Sequence, residues 1–272
     1  ETVNNALEIK HPIFREALLE FEKLNGLEFG TFADIPAYGS GLGSSSSFTV
    51  GLVHMLSSIS HKRFTAGMLS EIACKIELER CKEPIGKQDQ YGCALGGLKF
   101  IQFNPDESVE VRPIFLSADK INIIDENLLL FYTNINRSAS KILKDQNKNT
   151  NESKSHRDNL KNMTILAKDM YDEFIKGNIK SLGHFLNESW KLKQSMSSKI
   201  SNPEINQIYE TAIKNGADGG KLLGAGGGGF FLFYCEKEKQ KKLRKSLSKF
   251  KELDFKLDFD GASIIFNNNN EK

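Results

Sequence analysis

The sequence predicts an α+β protein. Helix-like and strand-like segments mix along the chain without the regular βαβ alternation of a doubly wound sheet. Two glycine-rich loops punctuate it, one opening into an apolar stretch of helical length and the other into a strand. No segment repeats at a fixed period. At about 150 residues per domain, 272 residues make one large domain or two small ones.

Residues 11–24 place Ile13, Ala17, Leu18, Phe21 and Leu24 at helical spacing, with Pro12 suited to a first turn. Gly26 ends that helix, and Leu27, Phe29, Phe32 and Ile35 read as a strand stopping at Pro36. The first glycine loop, Gly39-Ser-Gly-Leu-Gly-Ser-Ser-Ser-Ser47, leads into the apolar stretch 48–59. A second helix is predicted over 66–81, followed by a loop, Glu83-Pro-Ile-Gly-Lys-Gln-Asp-Gln90. Strands are predicted over 98–103, 109–115 and 128–133. A weakly marked boundary near 115–127 divides the chain into domains 1–118 and 119–272. Residues 144–155, rich in Asn and Lys, read as an exposed connection. Helices follow over 156–176, 178–197 and 203–215. Gly216 and Gly219-Gly220 break the pattern. The second glycine loop, Lys221-Leu-Leu-Gly-Ala-Gly-Gly-Gly-Gly229, then precedes a strand over 230–235. A lysine-rich helix over 236–251 keeps one apolar stripe of Leu243, Leu247 and Phe250, so its basic run is a solvated face. Strands near 253–258 and 262–266 complete the pattern, and the Asn-rich tail 267–272 is expected to be disordered.

Composition excludes several function classes. Lys and Arg number 37 against 35 Asp and Glu, a net charge of +2. That balance argues against a general polyanion binder, so no nucleic-acid partner is expected, while a small phosphorylated substrate stays open. Apolar runs such as Phe230-Phe-Leu-Phe-Tyr234 fall far short of the roughly 20 residues a membrane span needs. No membrane association is expected, and no secretory pattern is recognised. Cys74, Cys81, Cys93 and Cys235 lack metal-site spacing and read as the reduced thiols of a cytoplasmic protein. The five histidines show no metal spacing either, and Trp190 reads as core.

The first loop fits neither common phosphate-binding pattern. No Lys follows Gly43, as a Walker A loop requires, and Ser44 stands where a dinucleotide fingerprint needs its third Gly. Gly39, Gly41 and Gly43 still permit positive φ and close approach of backbone to a ligand. A helix starting near Ser44 adds unpaired N–H groups and the positive end of its dipole. A plain helix cap with a flexible turn is the competing reading. The second loop holds a formal G-x-G-x-x-G at Gly224, Gly226 and Gly229, but a strand follows it, so the dinucleotide context is lost. It is either a tight turn or a second backbone surface against a ligand. Asp89, two residues from Lys87, is either one half of a weak surface pair or a general base tuned by that cation. Glu77 and Glu79 point to different sides of their helix, so at most one faces a site with the first loop. One Glu and one Ser would suit Mg²⁺, which takes oxygen ligands. Arg137 follows a strand and is either a phosphate clamp or a surface residue at a helix start.

Pro36-Ala-Tyr-Gly-Ser-Gly-Leu-Gly-Ser-Ser-Ser-Ser47 resembles the second motif of the GHMP kinases, named for the galacto-, homoserine, mevalonate and phosphomevalonate kinases. Lys221-Leu-Leu-Gly-Ala-Gly-Gly-Gly-Gly229 resembles their third, in the correct order and separation. Glu83-Pro-Ile-Gly-Lys-Gln-Asp-Gln-Tyr91, Gly96-Gly-Leu-Lys-Phe-Ile-Gln-Phe-Asn-Pro105, Arg137-Ser-Ala-Ser140 and Ile200-Ser-Asn-Pro-Glu-Ile205 resemble the branch acting on heptose 7-phosphate. The resemblance covers nearly the whole chain. It implies an N-terminal domain like domain 2 of ribosomal protein S5 and a ferredoxin-like C-terminal domain. It implies ATP as phosphoryl donor, lying across Gly39, Ser40, Gly41, Leu42, Gly43, Ser44, Ser45 and Ser46. Mg²⁺ would be held by Ser45 and Glu77, with Glu77 preferred over Glu79 when the loop is anchored on Pro84. Asp89 would be the base or orienting carboxylate, and Lys87 and Arg137 would meet the developing charge or the substrate phosphate. Gly226 and Gly227 would line the site from the other domain. The implied reaction phosphorylates the anomeric hydroxyl of a heptose 7-phosphate. A fucose kinase and a non-catalytic sensor binding ATP and sugar are the alternatives, and a homodimer is compatible with the family. The family's first motif has no counterpart in these residues, which implies missing strands, an unpaired sheet edge and poor stability of these residues alone.

Overall fold

A computed structural model of the 272-residue chain describes residues 1–21, 26–35, 39–135 and 139–267. They pack as two compact units. One takes the described residues of Glu1–Ala37, Gly43–Gly97 and Asp258–Lys272, and the other those of Tyr38–Leu42 and Leu98–Leu257.

The first unit is helical. Helix α1 (Pro12–Glu20) starts at His11, whose ring accepts the Phe14 N–H at 3.4 Å, with Pro12 at its first position. It stops at Glu20, short of the predicted end, and Leu24 lies outside the described residues. Helix α2 (Ser44–Ile59) starts at Gly43, and α3 (Ala66–Cys74) at Thr65, whose hydroxyl accepts the Met68 N–H at 3.2 Å. The predicted helix 66–81 is regular only to Cys74. It continues as a π-helical segment (Lys75–Arg80), with the Cys81 N–H donating to Ile76 O at 2.9 Å across five residues. Helix α4 (Gln88–Leu95) begins inside what the sequence reads as a loop. Ile13, Ala17, Phe21, Val50, Val53, Leu56, Leu69 and Ile76 form the core. The predicted strands at 27–35 and 262–266 are not formed. Their alternating apolar residues find no partner strand among the described residues, and Phe32, Ile265 and Phe266 are exposed.

The second unit opens with a hairpin, β1 (Lys99–Phe103) antiparallel to β2 (Val109–Pro113), near its predicted place. Helix α5 (Ala118–Asn127) then occupies the stretch read as a domain boundary, and β3 (Leu128–Tyr132) follows. Residues 144–155 are not an open connection: α6 (Ala139–Glu152) and α7 (Lys154–Ile175) run through them. Buried Ile142 anchors α6, and the Asn149 amide donates to Met196 O at 3.1 Å. Helix α8 (Leu182–Gln194) follows a single 3₁₀ turn (Ile179–Ser181), so it starts later than predicted. Helix α9 (Pro203–Lys214) matches its prediction and is capped by Asn202, which accepts the Ile205 N–H at 2.9 Å. Strand β4 (Gly219–Leu222) falls where the glycines read as a break. Strand β5 (Phe230–Tyr234), α10 (Lys237–Ser246) and β6 (Lys251–Leu253) follow, the last earlier and shorter than the predicted 253–258. The sheet is antiparallel, ordered β4-β5-β3-β6, with Leu130 opposite Leu232 on one side and Leu253 on the other. Leu129, Phe131, Phe231 and Phe233 pack from the sheet against Trp190, Ile205, Ile208 and Leu243 of the helices.

The four cysteines are free thiols. Among the described residues, no helix is long and apolar enough to cross a membrane.

Candidate active site

Gly39, Gly41 and Gly43 all adopt left-handed φ, at 71°, 77° and 68°. For Gly41 the cause is visible in the second unit. A Cβ there would lie 2.6 Å from Leu223 O, and one on Gly224 would lie 2.4 Å from the Gly41 Cα. The two glycine loops therefore meet backbone to backbone, and Phe230 N–H donates to Ser40 O at 3.1 Å. Within this pairing the Leu42 N–H reaches Ser40 Oγ at 3.3 Å.

The second loop is held on all sides. Gly227 N–H donates to Ile200 O at 2.8 Å, and Gly229 N–H to Ile135 O at 2.9 Å. Thr133 donates its N–H and its hydroxyl to Gly229 O, at 2.9 and 2.8 Å, and Lys193 Nζ donates to Gly224 O. A Cβ on Gly226 would lie 2.9 Å from Ile200 Cγ2. Gly226 thus owes its residue type to close packing on the chain itself, and Gly227 adopts a left-handed φ of 75°.

In the first unit, α2 begins at Gly43 with no side chain to cap it. The first N–H groups of a helix have no acceptor within it, so this end attracts anions. Ser44, Ser45 and Ser46 form its first turn, with Ser45 exposed and Ser46 buried. Asp89 stands against this end. A Cβ on Gly43 would lie 3.4 Å from both Cβ and Cγ of Asp89, and 3.5 Å from its Oδ2. The sequence puts Asp89 in a loop. The structure puts it in the first turn of α4, with Lys87 as the N-cap residue. An exposed carboxylate is therefore fixed beside two helix N-termini.

Glu77 sits in the π-helical segment and is fully buried, while Glu79 is exposed. Gln90, equally buried, donates its Nε2 to Glu77 Oε2 at 2.6 Å. Among the described residues, Glu77 Oε1 and Gln90 Oε1 are buried with no hydrogen-bond partner. Sequence reasoning passes over Gln90, since nothing in its neighbours marks it as the inward residue beside outward Asp89. Burial pushes the nearby Cys74 thiol up to about 12, against a downward pull from Lys87 and a further push from Glu77, so this thiol is inert. Arg137 lies outside the described residues.

Mg²⁺ bound with phosphates needs only one or two carboxylates, completed by hydroxyl, water and phosphate oxygens. Glu77 fits that demand, because its Oε1 is a buried carboxyl oxygen with no hydrogen-bond partner among the described residues. Among the described residues, no group of three His, Cys, Asp or Glu side chains converges on a metal position.

Comparison with known proteins is consistent along the chain. The GHMP kinases N terminal domain family matches residues 6–97, and the GHMP kinases C terminal family matches residues 170–253. A D-glycero-alpha-D-manno-heptose 7-phosphate kinase of Campylobacter jejuni is 32% identical over 248 residues, which cover 89% of this chain and 71% of that protein. A bifunctional fucokinase/GDP-fucose pyrophosphorylase of Arabidopsis thaliana is 30% identical over 87% of this chain, which spans only 23% of that longer protein. Among solved structures, the galactokinase of Lactococcus lactis in complex with galactose superposes with a TM-score of 0.70 at 16% identity, covering 98% of this chain and 78% of its own.

Proposed function

The chain belongs to the GHMP kinase family, and from that premise we propose that it is an ATP-dependent sugar kinase phosphorylating the anomeric hydroxyl of D-glycero-D-manno-heptose 7-phosphate. The product would be the 1,7-bisphosphate, a step in nucleotide-heptose biosynthesis in the cytoplasm. The observation that carries this reading is the Asp89 carboxylate held against Gly43 at the uncapped start of α2. A helix N-terminus and a carboxylate stand side by side within one compact unit.

Phosphoryl transfer demands positioning and charge neutralisation more than covalent help. The N–H groups at the start of α2 and the hydroxyls of Ser44, Ser45 and Ser46 would receive the triphosphate oxygens. Gly39, Ser40, Gly41 and Leu42 would complete the nucleotide loop. The sugar oxygen bonds to the γ-phosphorus as the bond from that phosphorus to the β,γ-bridging oxygen breaks, and ADP leaves. Asp89 would accept or orient the hydroxyl proton during this exchange. Lys87 would face the developing charge. Glu77 and Ser45 would hold Mg²⁺, which when bound neutralises phosphate charge. Gly226 and Gly227 would be substrate-binding residues, a role that rests on the family resemblance of their motif alone.

The test is ADP release from ATP and Mg²⁺ with a panel of D-glycero-D-manno-heptose 7-phosphate, L-fucose, galactose and mevalonate. Turnover is expected on the heptose phosphate. Asp89→Ala should lower kcat on the order of 10²–10⁴-fold, and Lys87→Ala should raise the sugar KM or lower kcat. Preference for fucose would move the substrate assignment to the sugar of the Arabidopsis relative. Bound ATP without turnover on any sugar would replace the kinase reading with a sensor.

A further inference from the structure

The fold alone does not account for the two acceptor atoms left over in the Glu77–Gln90 pair. A carboxylate has no hydrogen to give, so the 2.6 Å contact fixes the amide with Nε2 toward Glu77. Both residues are wholly buried, so water does not reach them freely. Among the described residues, Glu77 Oε1 and Gln90 Oε1 thus stay unpartnered, and a buried acceptor left unmet is destabilising. No donor among the described residues meets either atom. A hard cation with its water shell would meet both, one oxygen as ligand and the other as acceptor for a bound water.

We infer that Gln90 is the positioning residue of the cation site. Its amide N–H pins Glu77 Oε2, fixing the carboxylate and leaving Oε1 as the one oxygen available for a cation. Its own Oε1 is left for water in the cation's shell. Gln90 and Asp89 are consecutive on α4, one turned inward and the other outward, so a single helix sets the metal carboxylate and the proton acceptor together. This inference rests on the reading of Glu77 as the cation's carboxylate.

The test measures Mn²⁺ bound by the 272-residue chain with ADP present, read from the EPR signal of free Mn²⁺. Gln90→Met keeps the volume and removes both the amide donor and the orphan acceptor. It should weaken Mn²⁺ binding by about 10–100-fold, the usual cost of losing an outer-shell partner. ADP affinity in EDTA should not change, which separates positioning from general loss of structure. In a Glu77→Gln background the same substitution should cost less than about twofold, because the pinned carboxylate is already gone. Gln90→Asn withdraws the amide by one methylene and should weaken Mn²⁺ binding in the same direction if Gln90→Met does not fold. Equal Mn²⁺ affinity in the wild type and the variants would overturn the inference alone. No Mn²⁺ uptake by the wild type would overturn the reading of Glu77, and the inference with it.

Discussion

Lys221, the first residue of the second glycine motif, sits in β4, and its Nζ donates to Ser189 Oγ at 2.8 Å. Burial holds its ammonium below the ordinary lysine range. The unfolded chain therefore binds this proton more tightly than the folded chain, and stability rises with pH through the lowered folded value toward the ordinary one. Lys221→Met should remove that slope and stabilise the protein at pH 7, as urea unfolding between pH 7 and 10 would show; an unchanged slope would mean that the shift arises elsewhere. At Gly224 the argument is steric. Its φ is 67°, and a Cβ there would lie 2.4 Å from the Gly41 Cα, which leaves no room for a side chain. Gly224→Ala should destabilise the second unit by on the order of 1–3 kcal/mol, measured as a lowered urea midpoint at constant slope.

Elements were legible in the sequence where apolar density was high. Leu128 to Tyr132 and Phe230 to Tyr234 are strands within a residue of their predicted ends because every position carries a large apolar side chain. Helix α9 is equally plain, with Asn202 and Pro203 at its start and Ile205, Ile208 and Ala212 buried. Helix α6 was not legible, since one buried isoleucine among Asn and Lys leaves no stripe to read. Its order comes from distant partners: Asp145 accepts from the Ser197 hydroxyl and, at 2.7 Å, from Lys199. Lys199 and Ser197 hold this carboxyl below its ordinary value, so it adds stability above the unfolded value that is lost as pH falls through the lowered folded one. Asp145→Asn should therefore flatten the acid limb of stability without altering its alkaline limb. Strand β4 was hidden by its own glycines, which are there for contact: a Cβ on Gly219 would lie 1.8 Å from Gly183 O of α8. Of the candidate site, the sequence exposes Asp89, Lys87 and the serines, and leaves Glu77 and Glu79 as two choices; burial distinguishes them, and burial is a property of packing that a local spacing does not contain.

At the scale of the whole molecule, each compact unit has its own core, and Ser44, Ser45, Ser46, Glu77, Asp89 and Gln90 all belong to the first. A ligand held by these residues should slow amide exchange in α2 and α4 before it changes exchange in β3 or β5. ADP with Mg²⁺ at 100 times its Kd should add about 2.7 kcal/mol to the stability of the state that binds it. Exchange mapped by mass spectrometry would check this, with uniform protection across both units as the contrary result. The π-helical turn gives the first unit one more freedom. A regular helix locks the azimuth of every residue to that of its first, so Leu69 and Ala73 on the core face would dictate where a residue eight positions later points. One added residue in the turn resets that phase. The front of the helix can then be selected for packing and its rear for the bearing of Glu77, each by substitutions that leave the other undisturbed, whereas deleting a single residue between 75 and 80 would lock the two together again and swing the carboxylate away from Gln90.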